Sequence, residues 1–274
     1  MKKIFYLLFL VSIIGTARAQ ELKQIDDCSM LFIYNYRFYE EHKNPESVKS
    51  FEMILEVGNL YSKFYNPNLG YRDSLIALHA EAPPEMALVV FSQLRGFSFH
   101  SFCDYYIFKN YPSSGTTTFF ANLAFGDAHK VEEKLEFNWK IDNDATRVIF
   151  GMNCKKATCR YAGRDYEAWF APEIPISDGP YKFSGLPGLI VLLQDSDKEH
   201  VFELREIKNV NKPMYMYIFE RTYIKTSAKG YTKALEASKV PLIESFNTTI
   251  SDNPAAIPNA IAKLRKRNNF IERY

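Results

Sequence analysis

The sequence predicts a mainly β protein: an antiparallel meander, sandwich-like or a strongly curved sheet, with a few short helices packed on it as an α+β minority. Three observations carry this. Aromatic residues make up 15% of the 274 positions, with 18 Tyr and 22 Phe, and rings favour strands over helices. From residue 103 onward, short apolar and aromatic runs recur at regular spacing, parted by Pro, Gly, Asn or Asp, the pattern of an antiparallel meander. One of these runs, Leu189 to Leu193, is apolar on both faces, as a strand buried on both sides is.

The elements follow in order. Residues 29–39 (SMLFIYNYRFY) read as a strand. Residues 50–66 read as one or two strands meeting at Gly58-Asn59, ended by Pro67 and Gly70. Pro83-Pro84 before EMALVVFSQLR and Gly96 after it mark a helix, with Pro at its start and Gly past its end. Strands then follow over 103–111, 116–125, 133–141, 146–161, 164–171, 189–195 and 200–210, and MYMYIF (214–219) reads as another. The clearest hairpin is CRYAGRDYEAWF, turning at Ala162-Gly163. Residues 226–274 turn helical and polar, with KGYTKALEASK and PNAIAKLRKRN as short surface helices. No repeat and no long linker appears, so residues 20–274 read as a single domain.

The first nineteen residues have the character of a secretory signal. Lys2 and Lys3 precede an apolar run from Ile4 to Ile14, and Ala17-Arg18-Ala19 supplies the small residues before a cleavage site. The run is shorter than the ~20 residues a membrane helix needs. Cleavage after Ala19 makes the protein exported, periplasmic or secreted, without a transmembrane span in the mature chain. Loss of Lys2, Lys3 and Arg18 takes the 34 basic residues to 31 against 32 acidic ones, a formal charge of −1. So neutral a chain gives no electrostatic reason to expect nucleic acid as a partner.

Four cysteines, Cys28, Cys103, Cys154 and Cys159, suit two disulfides in an exported protein, with three connectivities open. Within one strand, Cys154 and Cys159 are about 16 Å apart, beyond the ~7 Å a disulfide spans, so each would pair with Cys28 or Cys103. A C-x4-C spacing without a nearby His argues against a metal, and no cofactor motif is present: Leu186-Pro187-Gly188-Leu189 is not followed by G-K-S/T or by a helix. That string, with Gly185 before it and Ile190 after it, instead suits a type II turn, Pro187 presetting φ and Gly188 taking positive φ.

CKKATC (154–159), GRDYEAWFAPEIPISDGPYKFSGLPGLIV (163–191) and NNFIE (268–272), together with LEVGNLYSKFYN (55–66), resemble the GLPGLI family, secreted bacterial proteins without an established activity. The family is in turn similar, more weakly, to an N-terminal accessory domain of a bacterial peptide N-glycosidase. That implies an antiparallel β module of the kind that stands beside a catalytic domain.

The surface best suited to a site is the ribbon 164–182. Arg164, Asp165, Glu167, Glu173, Asp178 and Lys182 are interleaved with Tyr166, Trp169, Phe170 and Tyr181. Rings beside carboxylates suit a sugar or a peptide; Asp178 and Tyr181, flanking Gly179-Pro180, are expected to be exposed. The bland reading puts the rings in the core and alternate residues in solvent. Glu167 and Glu173 are a pair that a glycosidase could use, but His42, His79, His100, His129 and His200 are scattered and no Ser lies in a nucleophile elbow. Met214 and Met216 read as strand residues rather than copper ligands, and the sequon at Asn247 as chance. Asp73-Ser74-Leu75 resembles a short acceptor for O-glycosylation of exported bacterial proteins. The expected function is an exported envelope protein that binds or assists without catalysing, its partner an envelope protein, a peptide or a glycan. The alternative is a glycan- or peptide-directed hydrolase using the 164–182 ribbon.

Overall fold

The structure is a computed structural model and describes residues 21–78, 103–123, 128–239, 258, 261–262 and 265–274. The signal segment with Ala19, the helix expected after Pro84, His79, His100 and Asn247 lie outside the described residues.

The strands are β1 (Glu21–Tyr39), β2 (Val48–Gly58), β3 (Ser62–Tyr65), β4 (Tyr105–Lys109), β5 (Thr116–Asn122), β6 (Ala128–Lys134), β7 (Lys140–Ile149), β8 (Met152–Tyr161), β9 (Arg164–Ala171), β10 (Leu189–Asp195), β11 (His200–Asn209), β12 (Tyr215–Glu220) and β13 (Ile224–Lys225). The helices are α1 (Pro67–Leu78) and α2 (Ala228–Ala237). All strands join one sheet in the order β13-β6-β5-β4-β3-β2-β1-β11-β10-β9-β8-β7, and β12 pairs with the first part of β1. Two antiparallel meanders, β1 to β6 and β7 to β11, thus meet at the seam between β1 and β11. Mainly β with few helices is the architecture found.

Period two decides which residues enter the core. On β1, Phe32, Tyr34, Tyr36 and Phe38 are buried, and so are Phe202 and Leu204 on β11. They share one cluster with Phe119 of β5 and with Ala157 and Tyr166 of β8 and β9. Strands from opposite halves of the sheet thus contribute to one core. Segment 172–188 adds Tyr181, Phe183 and Leu186 to that core, and Tyr34 donates to the Ile190 carbonyl of β10 at 2.7 Å. The opposite face has its own cluster of Tyr65, Tyr106, Phe108, Phe120 and Met216. Met216 is fully buried there, which accounts for it as packing.

Several sequence expectations need correction. Residues 135–139 form no strand; Phe137 turns inward to stack on Phe183 at 4.9 Å, and Trp139 Nε1 donates to the Ser184 carbonyl. Residues 146–161 are not one strand but the β7–β8 hairpin, turned by Phe150-Gly151, both with positive φ. The strand does end before Pro67, β3 stopping at Tyr65, and Pro67 then opens α1, whose entrance is capped by the Asn66 side chain accepting from the Asn68 N–H. Asp73 and Ser74 therefore lie in a helix, with Asp73 buried under the Tyr106 hydroxyl at 2.8 Å.

The two expected disulfides are absent: all four cysteines are buried free thiols. Cys28 stands outside the core cluster that holds Cys103, Cys154 and Cys159. Burial pushes the Cys28 thiol up to about 11 and the Cys159 thiol up to about 12, which keeps both protonated and unreactive. Unfolding should therefore release four titratable thiols to a thiol reagent while the native protein yields none. Two disulfides would leave the unfolded chain without any.

Candidate functional site

Chain segment 172–188 is pinned from beneath. Ser62 on β3 and Lys109 on β4 stand opposite each other in register, and both reach Asp178. The Ser62 hydroxyl donates to one carboxylate oxygen at 2.5 Å, and the Lys109 ammonium donates to the other. The ammonium also donates to the carbonyls of Gly179, at 2.5 Å, and Phe183, at 3.0 Å. Asp178, Lys109 and Ser62 are all buried. The expectation that Asp178 and Tyr181 are exposed is wrong. Tyr181 is buried too, because the loop folds inward onto the core rather than out into solvent.

The GLPGLI corner also differs from a type II turn. Gly188 N–H closes on the Leu186 carbonyl at 2.8 Å, a tighter turn around Pro187, while Leu189 N–H goes to Ile174 at 3.1 Å. Gly188 does hold positive φ, at 148°. Leu186 and Ile190 are core residues and Pro187 is exposed, so the string is a structural corner.

The two basic residues of the ribbon, Arg164 and Lys182, converge on segment 267–274. Arg164, on the inward face of β9, bonds Asp195 at 2.6 Å and Glu199 at 3.3 Å. Its other nitrogen donates to the Asn269 side chain at 2.5 Å and the Phe270 carbonyl at 2.8 Å. Asn269 in turn donates to the Tyr39 carbonyl, and Tyr166 to the Ile271 carbonyl. Lys182 bridges Glu133 and Glu272, each at 2.7 Å, and the hydroxyls of Tyr161, Tyr181 and Tyr274 all donate to Glu272. Burial alone would raise the Glu272 carboxyl, but Lys182 and the hydroxyl donors bring it below its ordinary value. Arg273 N–H closes the seam on the Ala162 carbonyl at 2.8 Å. Gly163 is required there, since a Cβ would stand 2.5 Å from the Arg273 carbonyl oxygen. Arg164, Tyr166, Tyr181 and Lys182 are thus bound to residues 269–272 of their own chain.

The remaining ribbon acids are surface groups. Asp165 forms an exposed pair with Arg160. Glu167 is half-buried; burial opposes its charge, yet Lys156 at 2.6 Å and the Trp169 N–H hold it below its ordinary value. Glu173 accepts the Asn153 N–H at 3.0 Å. One acidic trio, Asp195, Asp197 and Glu199, has its oxygens within 4.8 Å of one another, but Arg164 already pairs with Asp195 and Glu199, and Arg273 with Glu199.

His200 lies beside this network, fully buried, with Nδ1 2.7 Å from the Tyr36 hydroxyl. Burial, then the charges of Arg164 and Arg273, push its pKa well below 6.5. The unfolded chain takes up a proton near pH 6.5 that the folded one refuses, so stability must fall as pH drops below about 6.5. The limiting slope for one proton is about 1.4 kcal/mol per pH unit. The Glu272 contribution is lost only further down, as pH falls below about 4.3. Urea unfolding between pH 7 and 5 should show this decline in the native sequence and lose it in His200→Gln. An unchanged slope in that variant would remove His200 as its source.

Beneath 267–274 lies a cavity of about 50 Å³, with Tyr105, Phe119, Tyr231 and Phe270 in its wall and Lys182 and Glu272 in its lining. None of Ser62, Lys109, Asn269, Glu272, Arg273 or Tyr105 was singled out in sequence as part of a site; only NNFIE, through its resemblance, pointed at the segment.

Residues 161–192 match the model of a family described as a protein of unknown function (Porph_ging). No curated protein matches the chain. Among solved structures, PNGF-II is similar in two crystal forms at 14% identity, with TM-scores of 0.49 and 0.50. The likeness covers 77% of this chain but only 33–34% of PNGF-II, so the chain spans about a third of that protein's length. It is a likeness of fold. Among the described residues, no helix is long and apolar enough to cross a membrane.

Proposed function

We propose that this chain is an exported, non-enzymatic binding or accessory module of the bacterial envelope, a relative of the family its GLPGLI string resembles. The supporting observation is the state of the ribbon 164–182. Its buried charges, Arg164, Asp178 and Lys182, are bound to fixed partners within the chain. Such pairs hold a fold together; they do not trade protons with a substrate. Ser62, which shares Asp178 with Lys109, is itself buried beneath the loop it anchors. The hydrolase alternative needs Glu167 to act as an acid, and Lys156, Trp169 and Gln194, whose amide donates to it at 3.0 Å, favour the carboxylate instead. Likeness to one third of PNGF-II is what an accessory module would give. An envelope protein, peptide or glycan remains the partner of choice for this reading.

The test is a glycan and peptide array on the mature protein, read both for binding and for turnover. Glu167→Gln and Glu173→Gln should leave binding unchanged. Turnover of any arrayed substrate, lost in either variant, would establish the hydrolase. Export is tested separately: the mature protein should begin at Gln20, and an intact Met1 would refute cleavage.

A further inference from the structure

A buried lysine is unusual, because its ammonium gives up hydration that only a close partner can replace. Among the described residues, Lys63, Lys109 and Lys182 are buried. Lys63 stands 4.0 Å from Glu56, outside hydrogen-bond reach. Lys182 is shared between Glu272 and Glu133, whose side chain is 23% exposed. Lys109 differs from both. A single carboxylate, Asp178, takes it at close range, and the two side chains are only 5% and 12% exposed.

The surroundings orient both groups. Lys109 Nζ donates to the Gly179 carbonyl at 2.5 Å and the Phe183 carbonyl at 3.0 Å, which leaves its third proton for Asp178 Oδ1. Passing that proton across aims the nitrogen lone pair at the carboxyl group. Burial favours the transfer, since it pulls the Lys109 amine below its ordinary value against the attraction of Asp178. From the other side, Asp178 Oδ2 accepts the Ser62 hydroxyl at 2.5 Å, and Oδ1 accepts the Gly179 N–H at 2.7 Å. Such donors draw electrons from the carboxyl carbon and steady the charge that develops on its oxygens during attack. Lys109 and Ser62 are fixed opposite each other on β4 and β3, so the reacting groups are positioned in advance.

We propose that Lys109 and Asp178 condense into an intramolecular isopeptide bond that fastens segment 172–188 to β4. Once the proton has passed, the neutral Nζ attacks Asp178 Cγ and a C–N bond forms. The protonated oxygen takes a second proton from the nitrogen and leaves as one water, breaking its bond to Cγ. The third proton stays on the amide nitrogen and keeps one of the two backbone carbonyls, while Ser62 keeps the surviving oxygen. The two charges cancel, and neither oxidant nor cofactor is consumed. The dry site that releases the water also protects the new bond from hydrolysis. A chain whose described cysteines are all free thiols thereby gains a covalent staple across 69 residues.

The experiment is mass spectrometry of a tryptic digest of the purified, denatured protein. Peptide 165–182 should emerge joined to peptide 96–130, in which trypsin no longer cuts at Lys109. The pair should be lighter than the sum of the two by one water. Lys109→Arg, which leaves Asp178 a cationic partner, should release 165–182 in linear form at full mass. Linear 165–182 with a free Asp178 acid in the native protein overturns the proposal. A branched peptide that persists in Lys109→Arg overturns it too, because the link would then lie elsewhere. Loss of water within 165–182 alone would be a cyclic imide at Asp178-Gly179 and overturns it equally. None of these outcomes reads binding or turnover, so the non-catalytic reading stands or falls by its own test.

Discussion

Arg164→Ala should lower stability by about 3–5 kcal/mol, the cost of breaking a buried ion pair by removing one partner. The guanidinium side chain is 3% exposed and its two carboxylates 2% each, so water cannot take its place. Glu199 keeps Arg273 and His42 after the change. Asp195 keeps the His200 N–H at 2.9 Å, the Phe270 carbonyl loses the guanidinium, and the Asn269 oxygen is left with Arg273 alone. Burial already raises the Asp195 carboxyl above its ordinary value, with Arg164 opposing it. Without Arg164 that rise must grow, and a raised acid favours the folded state as pH falls through its folded pKa. The penalty of Arg164→Ala should therefore shrink on mild acidification, a signature that lost packing would not give. Arg164→Lys should rescue little, since an ammonium lacks the planar fork that serves both sides. Urea unfolding followed by the fluorescence of Trp139 and Trp169 reads both variants against the native protein. A loss under about 1 kcal/mol would mean that the network contributes no net stability.

How far such a network is legible in sequence depends on which of its parts are local. Strands β9 and β10 lie where the sequence puts them, because turn-forming pairs bracket them on both sides: Ala162-Gly163 before one, Pro187-Gly188 before the other. The alternation along 164–170 even places Arg164 on the same face as Tyr166 and Ala168, from which its burial follows. What alternation cannot carry is the partner, Asn269, which is 105 residues away. The same limit explains 135–139. Phe137 and Trp139 have the spacing of strand residues, and only the arrival of Phe183 and Ser184 from another segment turns them inward. Asp178 failed for a related reason. A carboxylate between Ser177 and Gly179 resembles a loop tip, and nothing nearby announces that Lys109 waits beneath it. The cysteine count was local evidence too, but disulfide pairing is set by strand order, which spacing alone does not give.

Gly188→Ala should cost about 2–4 kcal/mol, by adding backbone strain to a collision that cannot relax. The Cβ of alanine would stand 2.3 Å from the Ala171 carbonyl oxygen and 2.9 Å from Pro172 Cα. Both are backbone atoms, fixed where β9 ends against the start of β10 and Leu189 pairs with Ala171. That carbonyl already accepts the Ile174 N–H at 3.1 Å, so moving it breaks a second turn. For a domain of this size the loss corresponds to a drop in melting temperature on the order of 10 °C. Gly185→Ala is the control. Gly185 also has positive φ, at 92°, but its nearest neighbour to a Cβ is the Trp139 ring at 3.9 Å, an ordinary contact. It should lose only the ~1 kcal/mol of an alanine forced to positive φ. Calorimetry on the two variants separates the causes: a Gly188 penalty at least twice that of Gly185 marks close approach of the chain to itself. Equal penalties would mean that backbone conformation alone fixes both glycines, and the corner would then tolerate a side chain wherever φ allowed one.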